Sequence, residues 1–464
     1  VLSSGGIVAA QDGLAAEAGA RQLRAGGNAV DAAVATAFAL AVTHPPAGNL
    51  GGGGFLVLWL PGPSPARGRG CLAATAPSPE RSIGAGFAVA VNFREEAPGA
   101  ATAGLFLRAD GTVDRQRATG SLRSAGVPGS VAGLTLSQRC YGRLPLAAVL
   151  APAIALAENG FPVSPALSEA LAAAAPRLQA DPTARAIYYR PGPNGRPQPP
   201  RPGERLRQPE LARTLRRIAA AGDSGFYGGP VAEALARLMA KGGGLITTVD
   251  LRRYRARLEA PLERRFRGHL LLTMPPPGGG LTLLQLLALL EPFPLDTTGL
   301  NSARTLHLLV EAMNLAFRDR NDLLGDPAVG ARRNPSQPPI PIRPLLEEPY
   351  LTALRRQIAP DRHRPAPALP PRPPLAEGTN TTHLSVADRQ GGLVALTTTL
   401  NLPFGNGIAV PEAGFLLNNE MDDFTASPGS ANAFGLVQGQ ANAIAPGRRP
   451  LSSMAPTLVF RSDG

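Results

Sequence analysis

A proline-rich run, "RPAPALPPRPPLAEGTN" (364–380), ends directly against "TTHLSVAD" (381–388). Proline fixes φ and lacks an N–H, so this run supports neither an interior helix nor an interior strand. From Thr381 the pattern changes to period two. Leu384 and Val386 fall on one face, His383 and Ser385 on the other, as in a half-buried strand. "DRQGG" (388–392) supplies a turn, and "LVALTTTL" (393–400) reads as a second strand. Any fold of this chain must hold an irregular segment against the first residue of a hairpin.

With 464 residues and 44% hydrophobic content, the chain can bury a large core, as one big domain or two close ones. The most apolar stretch, "AVDAAVATAFALAV" (29–42), is short for a membrane span, carries Asp31, and reads as a buried helix. The chain begins at Val1 rather than Met, so the given residues leave open a signal peptide upstream. A net charge of +12 invites a nucleic-acid reading, but the positive charge is almost all Arg (only Lys241 is lysine) and is spread along the chain with few interleaved aromatics. It fits a compositional bias better than a binding groove. Cys71 and Cys140 are too few for a disulfide framework; they either pair or stay buried as small apolar residues. The histidines show no metal-ligand spacing and no CxxC occurs, so no metal site is expected.

Helical patterns flank the strands. "AGGN" splits the first pair of helices, with Gly26 and Gly27 suited to a C-terminal cap and Asn28 to the next N-cap. "NSARTLHLLVEAMNLAFRDR" (301–320) shows helical spacing at Leu306, Leu309, Met313 and Phe317, with Ser302 as its cap. The segment 176–206, rich in Pro, Arg and Gly, reads as surface loop. Helices packed on both faces of a sheet core are the expected architecture. The glycine run 51–54 precedes a strand, whereas a phosphate loop opens a helix, so it reads as a turn where backbones approach closely. No GxSxG elbow is present.

Thr381 is the chemically distinctive position. A threonine hydroxyl is a poor nucleophile without an adjacent base. A cut before Thr381 would expose its own α-amino group, with a reference pKa of about 7.7–8.0, as that base. The same hydroxyl can make the cut by attacking the Asn380 carbonyl, forming an ester that water then opens. The competing reading is two threonines opening a strand for their β-propensity.

"TNTTHLSVAD", "TLNLPFGNGI", "GFLLNNEMDDF" and "RRPLSSMAPT" occur in that order. Upstream stand "AGGNAVDAAVA", "THPPAGNLGGGGF", "NFREEAPGAAT", "GVPGSVAGL", "GGLITTVDLRRYRA", "MPPPGGG" and "DRNDLLGDP". Together they resemble the γ-glutamyltransferases of the N-terminal-nucleophile hydrolase superfamily over essentially the whole chain. The resemblance implies an α+β fold, an αββα four-layer sandwich. It implies one precursor, cut between Asn380 and Thr381 into a large-subunit region (1–380) and a small-subunit region (381–464) that stay together as a heterodimer. It implies Thr381 as nucleophile and Thr399 as the hydroxyl that bonds and activates it, although parity puts Thr397 on the same strand face. Arg94 would grip a substrate α-carboxylate, assisted by the hydroxyls of Ser452 and Ser453; Asp423 would bind the α-ammonium, with Asn401 and Glu420 contributing. The substrates implied are γ-glutamyl amides such as glutathione, with amino acids, peptides or water as acceptors and no cofactor, in a periplasmic or extracellular location.

Three departures bear on this. His383 is expected to be a plain strand side chain. Phe434 stands where the family's lid segment often has a tyrosine. The chain stops at "VFRSDG", before the family's oxyanion-stabilising glycine pair. These residues alone are therefore expected to be poorly soluble and slow, with "APTLVF" (455–460) as a strand inside the sheet. The alternatives are a related acylase for glutaryl or other side-chain amides, against which Asp423 argues, and an inactive binding homologue.

Overall fold

The hairpin that opens at Thr381 lies within a seven-stranded antiparallel sheet. The computed structural model describes residues 5–63, 71, 81–192, 195–327, 340–363 and 381–461; the proline-rich run and Asn380 lie outside them. The strands of the two larger sheets, in chain order, are β1 (Gly6–Ala10), β2 (Gly53–Pro61), β3 (Arg81–Ile83), β4 (Gly86–Asn92), β5 (Arg257–Glu259), β6 (Leu262–Phe266), β7 (His269–Thr273), β8 (Thr381–Asp388), β9 (Leu393–Thr399) and β10 (Thr457–Phe460). The large sheet has the order β1-β8-β9-β2-β4-β3, with β5 also pairing with β4. A second sheet has the order β6-β7-β10. The register sets Thr381 opposite Thr399, and Thr399 opposite Gly53. On its other side β8 pairs with β1 only from Leu384 onward, so residues 381–383 have a strand neighbour on one side alone.

Alternation along the strands divides the core into layers. Phe55, Val57, Ala88, Ala90 and Ala395 pack against Leu272 and Leu458 of the second sheet and Met274 just past β7. Leu56, Leu58, Val89, Leu384 and Leu396 point the opposite way, into a helical layer that includes α1 (Gly13–Arg24), α2 (Ala29–Thr43), α3 (Ser130–Tyr141) and α4 (Leu146–Asn159). Beyond the second sheet lie α5 (Gly280–Leu290), α6 (Ala303–Leu323) and α7 (Glu348–Arg355), which share a core at Leu289, Leu308 and Leu351. Helix, sheet, sheet, helix is the expected αββα order.

Helix α2 is buried along its whole length, as its apolar composition requires. Asn28 Oδ1 accepts from Val30 N and Asp31 N, while Asp31 Oδ2 accepts from Asn28 N at 2.7 Å, a reciprocal cap that satisfies buried donors. Ser302 caps α6 as expected. The buried face of α6, however, is Leu308, Ala312, Leu315 and Ala316; Leu306 and Met313, on the expected stripe, are exposed. Two apolar rows run along this helix, and small alanines mark the inner one because they admit closer packing. The segment 176–206 is more than loop. Asp181 caps a helix, Pro182–Tyr188, and both Tyr188 and Tyr189 are buried. The strand in "APTLVF" is present, but among the described residues β10 pairs only with β7 and ends the order of its sheet. Cys71 and Cys140 are disulfide-bonded, with Cα atoms 5.3 Å apart. No helix among the described residues is long and apolar enough to cross a membrane.

Candidate active site

Strands β8 and β9 lead into the wall of a cavity of about 520 Å³. Thr381 Oγ1 donates to Thr399 Oγ1 at 3.3 Å, and Thr399 Oγ1 also accepts from Asn401 N at 2.9 Å. Thr399, not Thr397, is thus the threonine bonded to Thr381. Thr397 Oγ1 instead meets His383 Nδ1 at 2.8 Å, and His383 Nε2 meets Ser385 Oγ at 3.1 Å. His383 is a strand side chain outside the cavity lining, as expected.

The glycine run sets the other side of Thr399. A Cβ on Gly52 would stand 2.2 Å from Thr399 O and 2.7 Å from Asn49 Oδ1. Asn49 Nδ2 donates to that same carbonyl at 2.9 Å, so neither neighbour can retreat freely. Gly52→Ala is expected to lower stability by about 1–3 kcal/mol through overpacking. Gly104→Ala supplies the baseline, because its Cβ would meet only Leu107 Cδ1, at 4.0 Å. Thermal unfolding compares the two, and equal midpoints would remove the close-approach account.

Arg94 follows β4 and is fully buried. Its Nε donates to Pro450 O at 3.1 Å, Nη1 pairs with Glu420, and Nη2 pairs with Asp423 Oδ2 at 2.5 Å and reaches Leu451 O at 3.4 Å. Glu95 Oε2 stands 3.7 Å from Nη1. Burial works against the guanidinium's charge, but Glu420, Asp423 and Glu95 outweigh it and raise the Arg94 pKa. Burial likewise pushes the Glu95 carboxyl up to about 7 and that of Glu420 well above the usual range, with Arg94 opposing both shifts. Glu420 and Asp423 come from one short helical turn, Glu420–Asp423. Glu420 Oε2 has no hydrogen-bond partner among the described residues. Three carboxyl groups around one guanidinium suit a second cation, and that oxygen remains to accept from it.

Ser452 Oγ accepts from Met454 N at 3.1 Å, and Ser453 Oγ accepts from Arg320 Nη2 at 3.3 Å. Each hydroxyl still has a proton to donate, which suits an incoming carboxylate. Asn401 sits at φ +77°, a left-handed conformation asparagine tolerates, and its Nδ2 donates to Asn419 O at 2.9 Å.

Apart from Asn380, every residue the resemblance nominates lines this one cavity: Arg94, Thr381, Thr399, Asn401, Glu420, Asp423, Ser452 and Ser453. One arrangement differs from expectation. Arg94 is already engaged by Glu420 and Asp423, the groups expected to receive an ammonium, because a guanidinium this deeply buried requires anionic partners. The sequence reading also missed Arg320, which lines the same cavity and is 2% exposed. Burial lowers its pKa to about 10, leaving it charged at neutral pH. Its signal was positional: it follows Ala316 and Asp319 on the buried face of α6. Phe434 also lines the cavity, on a loop tethered by Ala433 N donating to Asp422 Oδ2 at 2.8 Å.

The sequence profile of γ-glutamyltranspeptidase matches residues 15–66 and 82–464. The chain belongs to the γ-glutamyltranspeptidase family. The glutathione hydrolase proenzyme of Pseudomonas sp. (strain A14) is 40% identical over 466 residues, covering 100% of this chain and 75% of the relative. Among solved structures, the cephalosporin acylase of Bacillus halodurans matches with a TM-score of 0.79 at 30% identity, covering 100% of this chain and 76% of the other. The γ-glutamyltranspeptidase of Helicobacter pylori matches at 0.68 and 33% identity, covering 82% and 99%. A γ-glutamyltranspeptidase fold and an N-terminal-nucleophile acylase fold thus share this chain's αββα layering.

Proposed function

We propose that this chain is a γ-glutamyltransferase and glutathione hydrolase that cuts itself between Asn380 and Thr381. The observation that carries the reading is the meeting, in one cavity, of a hydroxyl pair at a strand's first residue with charged groups complementary to an amino acid's zwitterionic head. After the cut, the Thr381 amine takes the proton of its own hydroxyl. Thr381 Oγ1 attacks the γ-carbonyl of a γ-glutamyl amide; the C–N bond breaks, the amine leaves with a proton, and a γ-glutamyl ester remains. Water or the amine of an amino acid or peptide then attacks that ester and frees Thr381. Thr399 orients the nucleophile. Asp423 and Glu420, with Asn401, receive the substrate ammonium, and Ser452 and Ser453 donate to its carboxylate beside Arg94. No cofactor is needed, since nucleophile and base are one residue.

The regions 1–380 and 381–464 are proposed to remain a heterodimer, because β8 and β9 lie between β1 and β2 of the other region. The Cys71–Cys140 disulfide supports a periplasmic or extracellular location, where such bonds persist.

The likeness to a cephalosporin acylase keeps a side-chain amide acylase as the second reading. Turnover of a γ-glutamyl anilide against a glutaryl anilide, which lacks the ammonium, separates the two. Asp423→Ala is expected to cost about 2–5 kcal/mol on the γ-glutamyl substrate and far less on the glutaryl one. Equal losses would favour the acylase.

A further inference from the structure

Two guanidinium groups line the cavity that holds Thr381, and they stand in opposite surroundings. Arg94 is paired with Glu420 and Asp423, with Glu95 at 3.7 Å, so three carboxyl groups face one cation. Arg320 Nη1 donates to Asn321 Oδ1 at 3.1 Å and Nη2 to Ser453 Oγ at 3.3 Å, and neither acceptor carries a charge. Its Nε, also buried, has no hydrogen-bond partner among the described residues. Asp319, next to it on α6, bonds Gln285, Tyr350 and Arg318 instead. A buried guanidinium bonded only to neutral oxygens is costly, and an anion brought to it removes part of that cost.

The two arginines therefore differ in what they offer a substrate. A carboxylate beside Arg94 also meets Glu420 and Asp423, whose charge offsets the attraction. Arg94 holds backbone as well: Nε donates to Pro450 O at 3.1 Å and Nη2 to Leu451 O at 3.4 Å, the two carbonyls that precede Ser452. Ser453 Oγ accepts from Arg320, which leaves its one proton to be donated to a ligand in the cavity that both residues line.

We infer that Arg320 is a positioning residue that sets donor specificity: acting through Ser453, it supplies the positive charge that draws the donor's α-carboxylate to the Ser452–Ser453 end of the cavity. The donor's head then lies between two poles, its ammonium at Glu420 and Asp423 and its carboxylate toward Arg320. Arg94 fixes the chain that carries both serines. The inference rests on the proposed γ-glutamyl transfer and deepens it.

The test uses the full-length protein with two donors, γ-glutamyl p-nitroanilide and its α-carboxamide, which keeps the ammonium and the anilide but has no carboxylate. Assays at about pH 7 lie below the reference α-amino pKa of about 7.7–8.0, so both donors keep their ammonium. One charge-assisted hydrogen bond corresponds to about tenfold or more, so the wild type should show a kcat/KM for the acid at least about tenfold above that for the amide. Arg320→Gln should bring this ratio most of the way to one by raising the KM of the acid, with kcat and the amide little changed. Arg320→Lys, which keeps a charge without the planar fork, should retain part of the ratio. The ratio is internal to each variant, so loss of folded protein does not mimic the effect. If Arg320→Gln is insoluble, Ser453→Ala carries the test, because losing the hydroxyl through which Arg320 acts should lower the same ratio. A wild type that releases p-nitroaniline equally well from both donors overturns this inference alone. A wild type that releases none from either overturns the γ-glutamyl reading itself. A wild-type ratio in Arg320→Gln or Ser453→Ala overturns the inference and returns the carboxylate to Arg94. Equal losses on both donors do the same, since they would make Arg320 a purely structural residue.

Discussion

Thr381→Ala leaves the full-length protein as a single uncut chain with no γ-glutamyl turnover. The hydroxyl is the atom proposed to attack twice, first at the Asn380 carbonyl and then at the substrate. It is already held by Thr399 Oγ1 at 3.3 Å, on a strand fixed by its register with β9. Removing it takes away the nucleophile while leaving the backbone ladder, so the variant should fold. Thr381→Ser keeps an oxygen but loses the methyl that restricts its rotamer, and some of both activities should survive. Mass spectrometry reports the cut and anilide release reports turnover. An uncut wild type with full turnover would sink the mechanism, as would a Thr381→Ala variant that still processes itself.

Arg94→Leu is expected to destabilise the fold by about 3–5 kcal/mol at pH 8, the usual range for stripping one partner from a buried ion pair. The change leaves Glu420 and Asp423 without their cation and Glu95 without its nearest positive charge. The deficit should depend on pH in a definite direction. Burial has already raised the Glu95 pKa to about 7 and that of Glu420 well above its ordinary value, so the folded state holds more protons than the unfolded chain above the ordinary glutamate pKa. Such groups favour folding at low pH and lose that contribution as pH rises through the folded value. Without Arg94 both carboxyls shift further up. The deficit of the variant should be smallest near pH 5 and grow toward pH 8. Urea unfolding of both proteins at the two pH values measures it; a deficit independent of pH would mean that lost packing, rather than charge, dominates.

The features legible in the sequence were mainly local. Alternation from Thr381, the "DRQGG" turn, the Asn28 and Ser302 caps and the full burial of 29–42 each depend on residues near in the chain. Membership of one cavity by Arg94, Thr381, Thr399, Asp423 and Ser452 was accessible only through the resemblance, since no local rule links residues so far apart. What stayed hidden depended on three-dimensional partners. Helix α6 offers two apolar rows, and only contact with α5 and α7 selects the inner one, which carries Arg320 inward. The engagement of Arg94 by Glu420 and Asp423 could not be inferred from residue types, because the same types fit a substrate equally well. Pairing of Cys71 with Cys140 likewise depended on Cα atoms brought to 5.3 Å.

Strand β8 is gripped unevenly. From Leu384 onward it is laced to β1 and β9 together, whereas residues 381–383 are laced to β9 alone. The rear of the strand therefore acts as an anchor and its front as a free margin. Among the described residues no strand borders that margin, so neither the proposed cut before Thr381 nor an incoming carbonyl would have one to displace. After the proposed cut, the anchor would keep the new chain end from drifting. Precision at the proposed nucleophile and access to it are thus assigned to opposite ends of eight residues. Extending β1 past Ala10 to close that margin would trade one for the other.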